Sequence, residues 1–329
     1  MISPVALKPL VERIRRTGAV VPAGVHSGIV LCGKDARDLL HRLSTNDLWT
    51  LSPSGSIRTV LTNERGRIID WVQLRPGDDR LLVICHAAAR QNVRDWIERF
   101  IITEDVEILS PSDAPGIASV ILPHVDSSDA SELERTLLMR SGEHEFGIWT
   151  DAFGPFRGMR VALSPERSSR FIQDIGVHDP AMLSVKEYTA LRVLAGVPSS
   201  PEELNDEHNP LESILRRDVS FSKGCYIGQE VVARLDAFDK VQRELVVLRV
   251  DGISDGDDRP DQILMDGAPA GSVTSVGGVL ENGSLLVMGY IERGARKKGG
   301  TLSVRNGAAV FPARALMDDS DGWPWEVSA

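Results

Sequence analysis

Two periodicities of apolar residues divide the first third of the chain into strands and helices. Short runs that alternate or stay apolar are typical of strands, and apolar residues three and four positions apart are typical of helices. The pattern predicts a strand, a helix, three strands and a second helix, at residues 26–32, 35–43, 56–62, 68–74, 81–85 and 87–101.

The spacing within these elements suggests how they assemble. Asp35 precedes the first helix as a cap, and residues 63–66 form a turn between two of the strands, which predicts a hairpin. The second helix carries one apolar face, formed by Val93, Trp96, Ile97, Phe100 and Ile101. Three antiparallel strands covered by one helix make a small α+β unit.

The middle of the chain mixes both periodicities. Strands are predicted at residues 117–122, 146–149, 158–163 and 219–222, and helices at 131–139, 168–175 and 185–195. The last of these helices ends at Gly196 with Pro198 beyond it, and another helix is predicted to start at Pro210.

The pattern changes after residue 240, where strands and turns continue without helices. The predicted strands lie at residues 245–250, 262–265, 271–276, 285–291, 301–305 and 310–316. Six short strands separated by Gly and Asp turns are typical of a small barrel. The sequence therefore predicts an α+β protein of more than one domain, which agrees with a length of 329 residues.

Composition and charge limit the classes of partner. A net charge of −10 argues against a nucleic-acid backbone as the main partner, because phosphate binding requires clustered Lys and Arg. The first 23 residues combine apolar and basic positions and predict a surface helix; no secretory or membrane segment is evident, so we expect a cytoplasmic protein.

Three cysteines, Cys32, Cys85 and Cys225, lie too far apart in sequence for a Cys-x-x-Cys motif. Their odd number suits a reducing compartment, and one chain lacks the four thiolates of a standard iron–sulfur site. The seven histidines show no ligand spacing, and we expect no metal site.

The segment from Ser222 to Leu235 concentrates the candidate chemistry. Its sequence, SKGCYIGQEVVARL, indicates a strand end that turns into a helix, with Cys225 in the turn. Free N–H groups at the helix start and the nearby Lys223 would both favour the thiolate. Gly224 and Gly228 flank the thiol where positive φ or close approach of another molecule would be needed. The alternative interpretation is that Cys225 is a small buried residue and Lys223 a solvated one.

This segment resembles the KGCYxGQE signature of the YgfZ-type folate-binding proteins, which are relatives of the aminomethyltransferase (T-protein) of the glycine cleavage system. Residues 191–198 and 209–212 resemble segments upstream of the signature, 61–70 the N-terminal pocket hairpin, and 271–275 the C-terminal barrel. The resemblance extends from about residue 26 to about residue 316.

The resemblance implies a ring-like α+β fold around a central pocket, with the Cys225 loop at its mouth. The expected parts are a discontinuous folate-binding-type domain at residues 1–50 and 117–235, a ferredoxin-like unit at 51–116 and a β-barrel domain at 240–329. It also implies a role in iron–sulfur cluster assembly or repair, and with it in tRNA modification, with tetrahydrofolate as the ligand and iron–sulfur assembly or client proteins as partners.

Three positions depart from the enzyme branch of the resemblance. Trp71 stands where the aminomethyltransferases carry their catalytic aspartate, Leu194 where they carry a pterin-contacting glutamate, and His86 where they carry an asparagine. An indole neither holds a negative charge nor exchanges protons at neutral pH, so methylene transfer by that route should be lost. Asn63 and Asp70 remain as polar groups for a pterin-like ring; turn chemistry and a paired surface carboxylate are their alternative roles.

Three functions stay open on the sequence. The first is an iron–sulfur accessory protein in which Cys225 is the working thiol and Lys223 its electrostatic support. The second is a tetrahydrofolate-dependent one-carbon transferase or demethylase that uses another carboxylate, and the third is a binding module without chemistry. Glu230 has a rival role at the helix start, with Arg234 as its ion-pair partner. The candidate ligand-binding residues are Asn63, Asp70, Arg192, Tyr226, Gln229 and Glu230.

Overall fold

The structure is a computed structural model that describes residues 4–110, 114–123, 133–137, 146–163, 171, 175, 179–253, 257–294 and 299–316. Its principal helices are α1 Leu7–Thr17, α2 Ala36–Leu43, α3 Arg90–Glu98, α4 Val185–Leu194 and α5 Gln229–Ala237. Of the helix predicted at 131–139, residues 133–137 are described and are helical, whereas the helix predicted at 168–175 lies largely outside the described residues.

Ten of the described strands form one sheet. They are β1 Ala19–Val20, β2 His26–Cys32, β3 Ile57–Thr62, β4 Ile68–Pro76, β5 Arg80–His86, β6 Glu107–Ile108, β7 Gly116–Ile121, β8 Ile148–Phe153, β9 Phe156–Leu163 and β10 Ala181–Met182. The main path runs β10-β1-β7-β2-β5-β4-β3, with β6 paired to β2 and the β8–β9 hairpin paired to β7.

The sheet crosses a boundary that the sequence placed between two domains. Strand β2, expected in the first domain, pairs antiparallel with β5 of the expected ferredoxin-like unit, in a register that sets His26 opposite His86. The two predicted parts therefore share one sheet and are not separated by a gap in hydrogen bonding. Apolar residues of β2, β4 and β5 pack with α2 and α3 in a common core.

The C-terminal part is a closed barrel, as the strand pattern predicted. Its strands are β11 Arg243–Val250, β12 Gln262–Met265, β13 Ala268–Val279, β14 Leu285–Glu292, β15 Leu302–Asn306 and β16 Ala309–Ala315, in the order β11-β14-β13-β12-β15-β16. Alternating inward residues of these strands fill the barrel, because side chains of a strand point to opposite faces in turn.

Two local predictions are wrong. Residues 219–222 form a bend and not a strand, because the backbone N–H of Ser220 donates to the carbonyl of Thr45 while no ladder follows. The residues after Pro210 form turns and a 3-10 helix, Arg216–Asp218, in place of a helix. The Oδ1 atom of Asn209 accepts from the N–H groups of Leu211 and Glu212, which satisfies those donors outside a longer helix.

The predicted surface helix is α1, and its apolar face is buried. Leu7, Leu10 and Ile14 pack against α4 and against barrel strands β11 and β14. No helix among the described residues is long and apolar enough to span a bilayer.

A buried ion pair joins the barrel to the rest of the molecule. Arg192 of α4 is 3 % exposed and Glu203 is fully buried, and their side chains are 2.8 Å apart. Arg192 also donates to the Ser275 hydroxyl, and the hydroxyls of Ser275 and Thr274 donate to Glu203. These partners place Arg192 in a structural contact, and its expected binding of a cofactor stays a prediction.

Replacement of Arg192 by Met should destabilise the protein strongly, because Glu203 would remain as a buried charge without its cation. Removal of one partner of a buried pair costs about 3–5 kcal/mol. Urea denaturation should show this loss, and the double change Arg192→Met with Glu203→Leu should recover part of it. A loss below about 1 kcal/mol in the single variant would contradict this role of the pair.

Candidate functional site

A small cavity lies between the sheet and α4. Residues from seven elements line it, including His26, Arg58, Trp71, Gln73, His86, Ala152, Phe153, Arg160 and Tyr188. Its volume is about 30 Å³, which is enough for one or two water molecules. Small-molecule sites usually measure about 300–1,000 Å³, so the cavity is roughly tenfold too small for a pterin.

Two arginines and one aspartate set the charge of the cavity. Arg58 forms an ion pair with Asp151, and the Nε atom of Arg160 lies 2.7 Å from Asp151 Oδ2. Burial raises the pKa of Asp151, but the two guanidinium groups lower it more, and the net pKa lies below the usual value. Asp151 is therefore ionised and neutralised by the arginines.

His26 is neutral in this environment. Burial, and then the charges of Arg160, His86 and Arg58, hold the pKa of His26 well below its usual value. The Nη2 atom of Arg160 lies 3.5 Å from His26 Nε2, which accepts a hydrogen bond because a guanidinium only donates.

Asp70 is buried beside His86 and is not a surface carboxylate. Its Oδ2 accepts from the backbone N–H of His86 at 2.8 Å, and its Oδ1 lies 2.7 Å from the ring Nδ1. Because a carboxylate only accepts, Nδ1 is the donor in this hydrogen bond. Asp70 thus orients His86, whose ring lines the cavity.

The Trp71 side chain fills the position that the resemblance assigns to a catalytic aspartate. Its Nε1–H donates to Asp218 Oδ2 at 2.8 Å, and the Arg58 guanidinium lies 4.7 Å from the ring centroid. Burial raises the pKa of Asp218, which the hydrogen bond from Trp71 partly offsets. The indole and the guanidinium therefore lie against each other in the wall of the cavity.

The cavity residues do not fit tetrahydrofolate. The volume is too small, the indole replaces the acid–base group, and Leu194 packs in the core at 2 % exposure instead of facing a ligand. Sequence reasoning missed Arg58, Arg160 and Asp151. Their signal was charged residues within strands that are otherwise apolar.

The Cys225 loop is a separate feature, because none of the described residues from 222 to 230 lines the cavity. Lys223 Nζ donates to the carbonyls of His41, Ser44 and Asn46 at 2.5, 2.8 and 2.9 Å, at the C-terminal end of α2. The backbone N–H of Ile227 donates to the carbonyl of Arg42 at the same end. The loop is thus fixed on both sides of Cys225, and the Cys225 side chain is exposed between them.

Lys223 and Tyr226 point inward and not to solvent. Lys223 is 9 % exposed, and burial lowers its pKa to about 8, against a smaller opposing effect of Asp47. Burial raises the pKa of Tyr226 to about 12, and Lys223 Nζ lies 5.2 Å from the Tyr226 ring centroid. The alternative interpretation of a solvated Lys223 is therefore wrong, and its predicted support of the thiol stays a prediction.

Gly228 fixes the loop against the β3–β4 hairpin. It caps α5 with φ of +84°, and a Cβ there would lie 2.5 Å from the carbonyl oxygen of Asn63 and 2.8 Å from the Cα of Gly66. The Thr62 hydroxyl donates to the Ile227 carbonyl at 2.6 Å. Gly224 differs, since its φ is not positive and an added Cβ would meet nothing within 4 Å.

The remaining candidate residues have mixed surroundings. The Oδ1 atom of Asn63 accepts from the N–H groups of Arg65 and Arg67, which is turn chemistry, and Asn63 also lines an outer groove of about 520 Å³. Gln229 is half-buried at the start of α5. Glu230 is exposed and, within the described part of the chain, forms no ion pair with Arg234. Their expected roles stay predictions.

The described residues hold three free cysteines and no cluster of three His, Cys, Asp or Glu side chains that could bind a metal ion. Cys85 is buried on β5, and burial raises its pKa far above the usual value. Cys32 is half-buried, so Cys225 is the most accessible of the three thiols.

Comparison with known proteins agrees with this fold. Residues 11–125 match the model of the GCVT N-terminal domain. The chain is 24 % identical over 299 residues to an Arabidopsis thaliana protein named "Putative transferase At1g60990, chloroplastic", covering 87 % of this chain and 68 % of the relative. It is 26 % identical over 259 residues to an aminomethyltransferase of Aquifex aeolicus, covering 75 % and 69 %.

Among solved structures, the glycine cleavage system aminomethyltransferase T from Bartonella henselae superposes with a TM-score of 0.79 at 16 % identity, covering 96 % of this chain and 89 % of that one. The chain therefore has the aminomethyltransferase T fold with a closed C-terminal barrel. Together the matches show that residues 11–125 are similar to the GCVT N-terminal domain and that most of the chain is similar to aminomethyltransferases.

Replacement of Gly228 by Ala should destabilise the protein by about 1–3 kcal/mol, because a positive φ is strained for residues with a Cβ and the new methyl group meets backbone atoms. Gly224→Ala is the matched control and should leave the free energy of unfolding unchanged within about 0.5 kcal/mol. Both are measured by urea denaturation. Equal effects of the two changes would contradict the packing of Gly228 on the hairpin.

Proposed function

We propose that this protein is an accessory factor for iron–sulfur cluster assembly or repair, and that the Cys225 thiol is its working group. The observation that carries the proposal is the exposed thiol of Cys225 on a loop that is anchored on both sides. A thiol in this setting is accessible to a partner while its position is restricted. The similarity of the segment to the YgfZ-type signature supplies the link to iron–sulfur proteins.

The composition limits the role to assistance. Three cysteines in the chain, one of them buried, do not provide four thiolates for a standard cluster. We infer that Cys225 contacts a cluster, its iron or its sulfide only while a partner protein holds the remaining ligands. Lys223 would then act through the loop, since its ammonium is bonded to three carbonyls of the α2 end.

The transferase alternative lacks an available carboxylate in the cavity. Asp70 is held by His86, Asp151 by two arginines, and Asp218 by the Trp71 indole. A general base must reach the proton that it removes. We therefore propose the accessory role without a folate-dependent step. The proposal includes a cytoplasmic location and iron–sulfur proteins as clients.

The first test concerns folate. We expect wild-type protein to show no saturable binding of tetrahydrofolate below about 1 mM in calorimetry, because the cavity that Trp71 and Arg58 line is too small for a pterin. Trp71→Ala should bind at least tenfold more tightly, whereas the control Trp71→Phe should resemble wild type. Micromolar binding by wild type would show that the cavity opens for folate and would restore the ligand to the mechanism.

The second test concerns the thiol. In cells that lack the protein, iron–sulfur enzyme activities are measured after return of wild type, Cys225→Ala or Cys225→Ser. We expect both variants to restore at least fivefold less activity than wild type at equal protein levels, because neither side chain supplies a thiolate. Cys32→Ala is the matched control and should restore activity fully. Full restoration by Cys225→Ala would make the thiol role wrong.

A further inference from the structure

Three exposed aromatic side chains lie near the Cys225 loop. Trp49, Phe221 and Phe238 are 57 %, 43 % and 66 % exposed, and among the described residues they are the aromatic members of the exposed large apolar set. Aromatic residues are enriched in protein interfaces and provide much of their binding energy. None of the three rings lines the cavity.

A chain of contacts through Arg216, His41 and Lys223 connects the surroundings of the three rings. The Arg216 guanidinium lies 4.8 Å from the Phe221 ring centroid and forms an ion pair with Asp236, two residues before Phe238. Trp49 packs on the ring of His41 at 5.6 Å, and the carbonyl of His41 accepts from Lys223. Phe221 and the helix end that carries Phe238 are therefore linked through Arg216, and Trp49 lies at the α2 end to which the loop is anchored.

The exposed charges beside Phe221 and Phe238 are mainly positive. Asp236 is neutralised by Arg216, and Asp239 by Arg293. Arg217, Arg234 and Lys240 are exposed and form no ion pair in the described part of the chain, although Arg217 interacts electrostatically with Asp218. The carboxylates nearby are the exposed Glu230 and, beside Trp49, the half-buried Asp47. The chain as a whole carries −10, so this local excess of cations contrasts with the rest of the surface.

We propose that this surface is the docking site of a partner protein whose own contact surface is apolar at its centre and acidic at its rim. The docking patch is defined by the three aromatics and the three cations: Trp49, Phe221, Phe238, Arg217, Arg234 and Lys240. Burial of the rings would supply affinity, and the cations would orient an acidic partner so that its reactive group meets Cys225. The inference rests on the proposed function and specifies the partner for that same thiol.

A single-stranded nucleic acid is the competing occupant, because bases also stack on aromatic rings beside arginines. Three cations on a chain of −10 provide few phosphate contacts, and nucleic-acid affinity depends on the number of such contacts. The observations therefore favour a protein partner, and the test separates the two.

The experiment compares two sets of surface changes in the cells that lack the protein. Trp49→Ser, Phe221→Ser and Phe238→Ser are combined in one variant, and the exposed apolar residues Ile102, Met182 and Val310 are changed to Ser in the matched control. We expect the patch variant to restore at least fivefold less iron–sulfur enzyme activity than wild type, and the control variant to restore the same activity as wild type. Alkylation of Cys225 by iodoacetamide should proceed at the wild-type rate in both, which verifies that the loop is intact.

The charge part is tested in vitro with the apo form of the iron–sulfur enzyme whose activity falls most in the deletion strain. Arg217→Glu with Arg234→Glu should weaken its binding at least tenfold, and the corresponding Gln changes should weaken it less. Excess unfractionated tRNA should leave binding unchanged. Displacement by tRNA, or equal binding by the Glu and wild-type proteins, would overturn the acidic-protein assignment.

The two hypotheses fail separately. If Cys225→Ala restores activity fully, the proposed function is wrong. If Cys225→Ala is inactive while the patch variant is fully active, the thiol role stands and the docking patch is overturned.

Discussion

The contact between the Cys225 loop and the C-terminal end of α2 is the constraint on which the rest of the site depends. Unpaired carbonyls at a helix end need donors, and Lys223 supplies three hydrogen bonds to this region from within the protein. The N–H of Ile227 adds a fourth bond, to Arg42. Because the ammonium is committed to these carbonyls, the loop between them is held in one conformation and its thiol remains at the surface.

This anchor also connects the loop to the sheet. Gly228 packs on the turn of the β3–β4 hairpin, and the same hairpin carries Trp71 into the cavity and Asp70 against His86. The thiol and the cavity therefore share one supporting element although no loop side chain lines the cavity. In this chain an indole lines the cavity, and the exposed thiol lies outside it.

Much of the fold could be predicted from local patterns. The barrel strands, the hairpin and helices α2 and α4 follow directly from periodicity and turn residues, since each is determined within a short segment. The pairing of β2 with β5 could not be predicted, because the partner of a strand is distant in sequence and leaves no local signature. The strands β1, β6 and β10 could not be predicted either, because two residues are too few to show a periodicity. Residues 219–222 show the opposite error. Their alternation of apolar and polar residues predicted a strand, but no described strand pairs with them.

The candidate site was predictable only in part. The glycine-flanked cysteine was evident from sequence, but the inward orientation of Lys223 depends on the α2 end, which is about 180 residues away along the chain. The cavity charges were missed because the sequence does not show which face of a strand is covered. A charged residue on a buried strand face can be assigned to the cavity only once its ion-pair partner is known. Asp151 is this partner for Arg58 and Arg160.

The pairing of β1 with β10 bears on how the chain acquires its structure during synthesis. Ala19 lies beside Ala181 in parallel register, so the N-terminal edge of the sheet cannot close until more than half of the polypeptide has left the ribosome. Closure of so long a segment carries an entropic cost before any contact compensates it. The barrel, by contrast, is contiguous from residue 243 to residue 315 and can form from one uninterrupted stretch. The Cys225 loop is therefore synthesised after every strand of the sheet and before the last barrel strand. All strands of the sheet are already present when the loop packs against it.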